Sequence, residues 1–240
     1  MAEQEKEIGL WYGILDTALK LPGAKVERDS FLEKEFAKYA NEGLIKQLVE
    51  AGIGKAGIPL DVLDKVADGS IGFHTTTVTA TSFAAGLPGG IAMAGTIPAD
   101  LAQYYYHVII VAQKLAYIYG WPNLEGDSND DFLAALTILI GVMSGASEAT
   151  GVLSSITSVL AREESSKRLP MVALAKAGLP QVAKQVAKVL GANLAKQGLA
   201  KGIGKIIPIV GGAISAGATI VTFLPMANTL KNELRKTLVS

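Results

Sequence analysis

Between Gly69 and Gln113 the chain runs for 45 residues with a single formal charge, Asp100. So long an uncharged stretch is driven out of water and must become the interior of a fold or meet lipid. It is rich in threonine and glycine and is broken by Gly86-Leu87-Pro88-Gly89-Gly90 and by Pro98. It therefore reads as two helices joined by a bend, a poor continuous span. Thr75 to Thr79 has the β-branched composition of a strand. No run of alternating apolar and polar residues bounded by turn signals exists, however, and the context makes this segment helical.

Two further segments share this character. Over 132–161 Glu148 is the only charge, and small residues crowd the run from Gly141 to Ser147, which permits close helix contact. Ile206 to Leu230 gives 25 uncharged residues between Lys205 and Lys231. Within it Gly211/Ser215, Gly212/Ala216 and Ala213/Gly217 form overlapping small-xxx-small pairs, a glycine zipper at which two helix backbones can approach. Pro208 and Pro225 shorten the unbroken part to about 16 residues, below the roughly 20 of a perpendicular span. Spanning, interfacial burial and a soluble core helix all stay open for this segment.

With half its residues apolar and only 18% charged, the chain can bury a core and is not a disordered polymer. The absence of cysteine excludes a disulfide framework, a thiolate metal site and a cysteine nucleophile. The zero net charge hides a partition. Residues 1–164 hold 11 basic and 21 acidic side chains, whereas residues 165–240 hold 11 basic ones against Glu233 alone. That basic end attracts anions, or else pairs with the acidic part within one bundle. Over 178–205, Lys184, Lys188 and Lys196 alternate with Val182, Val186, Val189, Leu190 and Leu194, the pattern of a basic amphipathic helix lying on anionic headgroups. Lys201, Lys205, Lys231, Arg235 and Lys236 extend the candidate membrane- or anion-binding set. Nucleic acid is not expected as a partner, because Phe223 is the only aromatic residue after 164 and stacking groups are lacking.

The first 55 residues read as an amphipathic helical hairpin, with helices over 3–21 and 30–51, a break at Leu21-Pro22-Gly23, and Asp29 or Ser30 as the second cap. The N-terminus lacks the features of a secretory signal, so the expected location is cytoplasmic, on the inner face of the membrane. The expected architecture is an all-α compact bundle, one folded unit, with the hairpin followed by a domain over 56–240 holding apolar segments 69–120, 132–161 and 206–230.

Gly86-Leu87-Pro88-Gly89-Gly90, then Ile97-Pro98-Ala99-Asp100-Leu101, then Ala116-Tyr117-Ile118-Tyr119-Gly120 resembles the EcsC family, from about Pro59 to about Gly211. The resemblance implies a bacterial, mostly helical, membrane-associated protein of a family named from an ABC-transporter operon. It carries over no catalytic residues. The expectation is a non-enzymatic accessory or regulatory protein without cofactor or metal. Its expected partners are anionic lipid, with a membrane protein such as a transporter or a second copy of the chain as further candidates.

Candidate chemistry lies at Asp100, Tyr104 and His107, which one helix face would present together, with Glu148 and His74 able to join. A soluble enzyme using the Asp100/His107 face is one alternative, and a channel-like oligomer built on Gly211, Gly212, Ser215, Ala216 and Gly217 is another. Asp100 also suits a helix start, where a carboxylate stabilises the macrodipole, while Tyr104 and His107 suit a polar core. Gly52-x-Gly54-x-x-Gly57 spells a dinucleotide fingerprint but follows a helix where a strand is required. Neither a phosphate loop nor a zinc-protease or nucleophile-elbow motif is present.

Overall fold

A computed structural model describes residues 2–86, 99–125, 129–162, 178–188 and 208–239. The protein is all-α, with ten helices and no strand among the described residues. In order these are α1 (Ala2–Leu19), α2 (Arg28–Phe36), α3 (Glu42–Ala51), α4 (Ile53–Ala56), α5 (Leu60–Gly86), α6 (Ala99–Ile118), α7 (Asn129–Met143), α8 (Ser147–Arg162), α9 (178–188) and α10 (Pro208–Val239).

The charge-poor sequence becomes the centre of the bundle. Helix α6 is packed by α1, α2, α5, α7 and α10, and Val108 to Ala112 and Leu115 to Tyr119 are all buried. Every residue of α7 from Ala134 to Met143 is buried as well. A helix apolar on all sides needs neighbours on all sides, and these two have them. Both end in the same way: Gly120 (φ 92°) and Gly145 (φ 77°) take the left-handed conformation. The following amides, of Trp121 and Ala146, return to the carbonyls of Ala116 and Gly141 at 2.9 Å, which satisfies carbonyls the last turn would leave unpaired.

The threonine-rich run is helical as expected. Thr75, Thr76 and Thr77 donate their hydroxyls to the carbonyls four residues back, of Ile71, Gly72 and Phe73, at 2.7–3.0 Å, so β-branching is accommodated inside α5. The expected helix over 30–51 is instead two. Helix α2 is capped by Glu27, whose carboxylate accepts from the amides of Asp29 and Ser30 at 3.3 and 2.7 Å, not by Asp29 or Ser30 themselves. Helix α3 restarts at Asn41, whose side chain accepts from Leu44 N at 2.9 Å. An asparagine that can cap competes with continuing the helix, and that local bond divides the segment.

The apolar side of the N-terminal region joins the core of the rest of the chain. Trp11, Ile14, Leu15, Leu32 and Phe36 are wholly buried in the same core as α5, α6, α7 and α10. Trp11 meets Tyr105 edge-on at 5.5 Å and donates its indole N–H to Thr137 Oγ1 at 3.3 Å. Gln113, buried in α6, donates to the carbonyl of Ala24 at 2.7 Å and accepts from the amide of Val26 at 3.0 Å. It thereby holds the segment between α1 and α2 against the core.

Helix α10 starts at Pro208, a position where the missing N–H costs nothing. Contrary to the expected break, it runs through Pro225. The carbonyl this proline leaves without a donor belongs to Val221, and both residues are on the exposed side of the helix, where water can replace the lost bond. Among the described residues no helix is long and apolar enough to cross a membrane.

Candidate functional site

The two histidines of the chain lie 33 positions apart, and the pairing of α5 with α6 brings them together. His74 and His107 are each 4% exposed, with their Nδ1 atoms 3.1 Å apart. On its other side His74 Nε2 stands 3.2 Å from Lys114 Nζ. Lys114 lies one helical stripe beyond His107, at i+7, with its Nζ 5.3 Å from the ring centre of Phe31 and 6.0 Å from that of Phe73. Such faces favour a cation.

With Lys114 as an ammonium and both imidazoles neutral, one arrangement of protons satisfies these contacts. The ammonium of Lys114 has only donors, so His74 Nε2 accepts; the remaining proton of His74 is on Nδ1 and is donated to His107 Nδ1; His107 then carries its proton on Nε2. Among the described residues that Nε2 is buried without a hydrogen-bond partner. Burial, then the charge of Lys114 and the neighbouring His107, push His74 down to about 3. Burial likewise lowers His107, and it lowers Lys114 below the ordinary lysine value, with Glu35 acting in the opposite sense and Lys34 adding to the fall. At neutral pH the pair is neutral.

Tyr104 shares a stripe with His107 but turns to another helix. Its hydroxyl lies 3.3 Å from Thr222 Oγ1 and 3.5 Å from Met226 Sδ, both on α10, and burial raises its pKa. Asp100 is the second residue of α6, and its side chain lies outside the described residues. Glu148, expected among the buried polar groups, is exposed in the first turn of α8. It accepts from Ser147 Oγ at 2.8 Å, and that bond lowers its carboxyl pKa. A first-turn carboxylate is stabilised where it stands by the helix dipole, so nothing draws it inward. Among the described residues no three His, Asp or Glu side chains gather closely enough for a metal ion.

The basic end divides. Lys231 reaches Asp68 at 2.6 Å and Arg235 reaches Asp64 at 2.9 Å, so these cations secure α10 antiparallel to α5. Asp64 also accepts from the buried Tyr119 hydroxyl at 2.8 Å. Lys236 pairs with Glu233 three residues back at 2.6 Å. Lys184 and Lys188 are exposed on α9. The valines between them are not available to lipid: Val182 and Val186 are buried, and a Cβ on Gly141 would lie 2.8 Å from Val182 and 3.5 Å from Val186. Lys196, Lys201 and Lys205 lie outside the described residues. Gly211, Gly212, Ser215, Ala216 and Gly217 are helical in α10, but their surroundings lie outside the described residues.

Large apolar side chains do remain on the surface. Ile220, Val221 and Leu224 of α10 are 42%, 72% and 37% exposed, and their i, i+1, i+4 spacing places them on one side of the helix. Sequence reasoning singled out the segment 206–230 without saying which of its side chains are exposed, and it missed Lys114 as the partner of His74 and the Asp64–Tyr119–Arg235 cluster. Only Lys114 had a signal: it is the first charge after the uncharged stretch and falls on the Asp100–Tyr104–His107 stripe.

Comparison with protein-family models, with curated proteins and with solved structures finds no match for the chain.

Proposed function

We propose that the protein is a non-enzymatic accessory or regulatory factor that attaches peripherally to an anionic membrane surface, as the EcsC resemblance implies. The observation that carries this reading is the exposed Ile220–Val221–Leu224 side of α10, at the basic end of the chain. Exposed Lys184 and Lys188 of α9 supply additional positive charge. In this reading the lysines draw the protein to acidic headgroups, each adding about 1 kcal/mol near the surface, and the apolar side chains enter the interface. The valines of α9 take no part, because they are packed within the protein. A transporter or a second copy of the chain would then be met at the same membrane.

Sedimentation of the full chain with vesicles tests the proposal. Binding is expected with vesicles containing phosphatidylserine and is expected to weaken as salt shortens the Debye length. Lys184→Glu with Lys188→Glu should weaken it further, and Val221→Glu should remove the part that survives high salt. Failure to bind acidic vesicles at low salt, or equal binding to neutral vesicles at high salt, refutes the proposal.

A further inference from the structure

We propose that His74 and His107, with Lys114, form an acid-operated latch between α5 and α6: the helices are joined there while both imidazoles are neutral and part there when the pair takes up a proton.

The geometry supplies the reason. The chain of contacts runs from Lys114 Nζ to His74 Nε2 at 3.2 Å and from His74 Nδ1 to His107 Nδ1 at 3.1 Å. Each link needs one donor and one acceptor. With Lys114 as the cation, the pair has only two nitrogens able to receive another proton, His74 Nε2 and His107 Nδ1, and both are already acceptors within the chain. A proton on the first sets N–H against ammonium, and a proton on the second sets N–H against N–H. Either breaks a link and adds a positive charge in a buried place, where the charge is costly without a counterion.

Among the described residues no carboxylate acts on either imidazole, and Glu35 acts on Lys114 instead. Helix α2 brings Glu35 and Lys34 to Lys114. From α10, Thr222 and Met226 meet Tyr104, while Lys231 and Arg235 are held by Asp68 and Asp64 of α5. Helix α1 meets α6 through Trp11 at Tyr105, and α7 offers its buried Thr137 to the same Trp11. Among the described residues the groups that lower His74, after its burial, are Lys114 and the neighbouring His107. Among the described residues His107 Nε2 has no partner, and a buried donor left unpaired is unfavourable, so the site is not arranged for greatest stability. The latch does not depend on membrane attachment.

Amide hydrogen exchange of the full chain, corrected for intrinsic rate, tests the latch. A histidine held at about 3 when closed and near 6.5 when open raises the open population about ninetyfold between pH 7.5 and 4.5. Exchange in the middle of α5 and α6 should rise by that order while α3 and α7 remain protected. His74→Gln with His107→Gln should abolish the rise, and Lys114→Gln should reduce it by letting the closed pair tolerate a proton. An undiminished rise in the double variant, no rise in the wild type, or loss of protection in all helices together overturns the proposal. Should the double variant fail to fold, nitrogen-15 spectra of the wild-type imidazoles at pH 7.5 decide. The latch requires Nδ1–H on His74 and Nε2–H on His107, and the reverse tautomers or a cationic ring refute it.

Discussion

Gly141→Ala should destabilise the protein although it replaces a glycine in the last turn of α7 by the best helix former. Helix propensity alone favours the alanine by about 1 kcal/mol. A Cβ at this position, however, would stand 2.7 Å from Ala149 Cβ and 2.8 Å from Val182 Cγ1. The first of these atoms is fixed to the backbone of α8 and has no rotamer by which to withdraw, so α7 and α8 must separate. Overpacking of this kind costs about 1–3 kcal/mol. Contact with both α8 and α9 puts the cost in the upper part of that range, for a net loss of about 1–2 kcal/mol after the propensity gain. Urea unfolding should show a lower midpoint at unchanged slope, and Tm should fall by about 2–8 °C for a chain of this size. Gly72→Ala provides the opposite sign: it is exposed on α5 and a Cβ there meets nothing within 4 Å, so stability should rise by about 0.5–1 kcal/mol. A Gly141→Ala protein at least as stable as wild type would refute the close-contact reasoning.

Gln113→Leu should cost about 2–4 kcal/mol in urea unfolding, because the Val26 amide and the Ala24 carbonyl lose their partner. Trp11→Phe keeps the ring against Tyr105 and should cost about 1 kcal/mol or less, since Thr137 retains its bond to the Leu133 carbonyl. Asp64→Ala strands the buried Tyr119 hydroxyl and should cost about 1–3 kcal/mol. Adding Tyr119→Phe should restore part of that loss, and simple additivity of the two changes would show that the hydroxyl–carboxylate bond is not the cause. Although burial raises it, the Asp64 carboxyl is held below its ordinary value by the Tyr119 hydroxyl and Arg235. Its contribution is therefore present above about pH 4 and lost as pH falls below it, so Asp64→Asn should flatten the acid limb of a stability–pH curve.

Much of the helical reading was legible because it rests on local chemistry. The proline-glycine break after α1 and the small-residue run at 141–147 have local physical signatures, and the structure places helix ends or close contacts at each. The helix division at Asn41 was equally local, yet apolar spacing across 32–49 obscured it: periodicity persists in register past a short turn. Pro225 misled in the other direction, since a helix can carry a proline whose freed carbonyl faces water. The buried site was half legible. The Asp100–Tyr104–His107 stripe follows from helical spacing, but a stripe does not say which neighbour each member faces. Tyr104 turned to α10 and His107 to α5.

The sequence by itself determined that the chain is helical, that its uncharged middle must be removed from water, and that positive charge gathers at its C-terminal end. Periodicity, capping residues and charge counts are properties of neighbouring positions, so they are already present in the unfolded chain. Only the tertiary structure decided that α6 and α7 meet protein on every side, that Val182 and Val186 cover Gly141, and that Lys231 and Arg235 pair with Asp68 and Asp64. It alone set His74 beside His107 and Lys114. Apolar and charged groups do not specify their partners by type. A helix face satisfied by lipid and one satisfied by another helix have the same composition, and packing geometry over separations of 33 to 171 positions chooses between them.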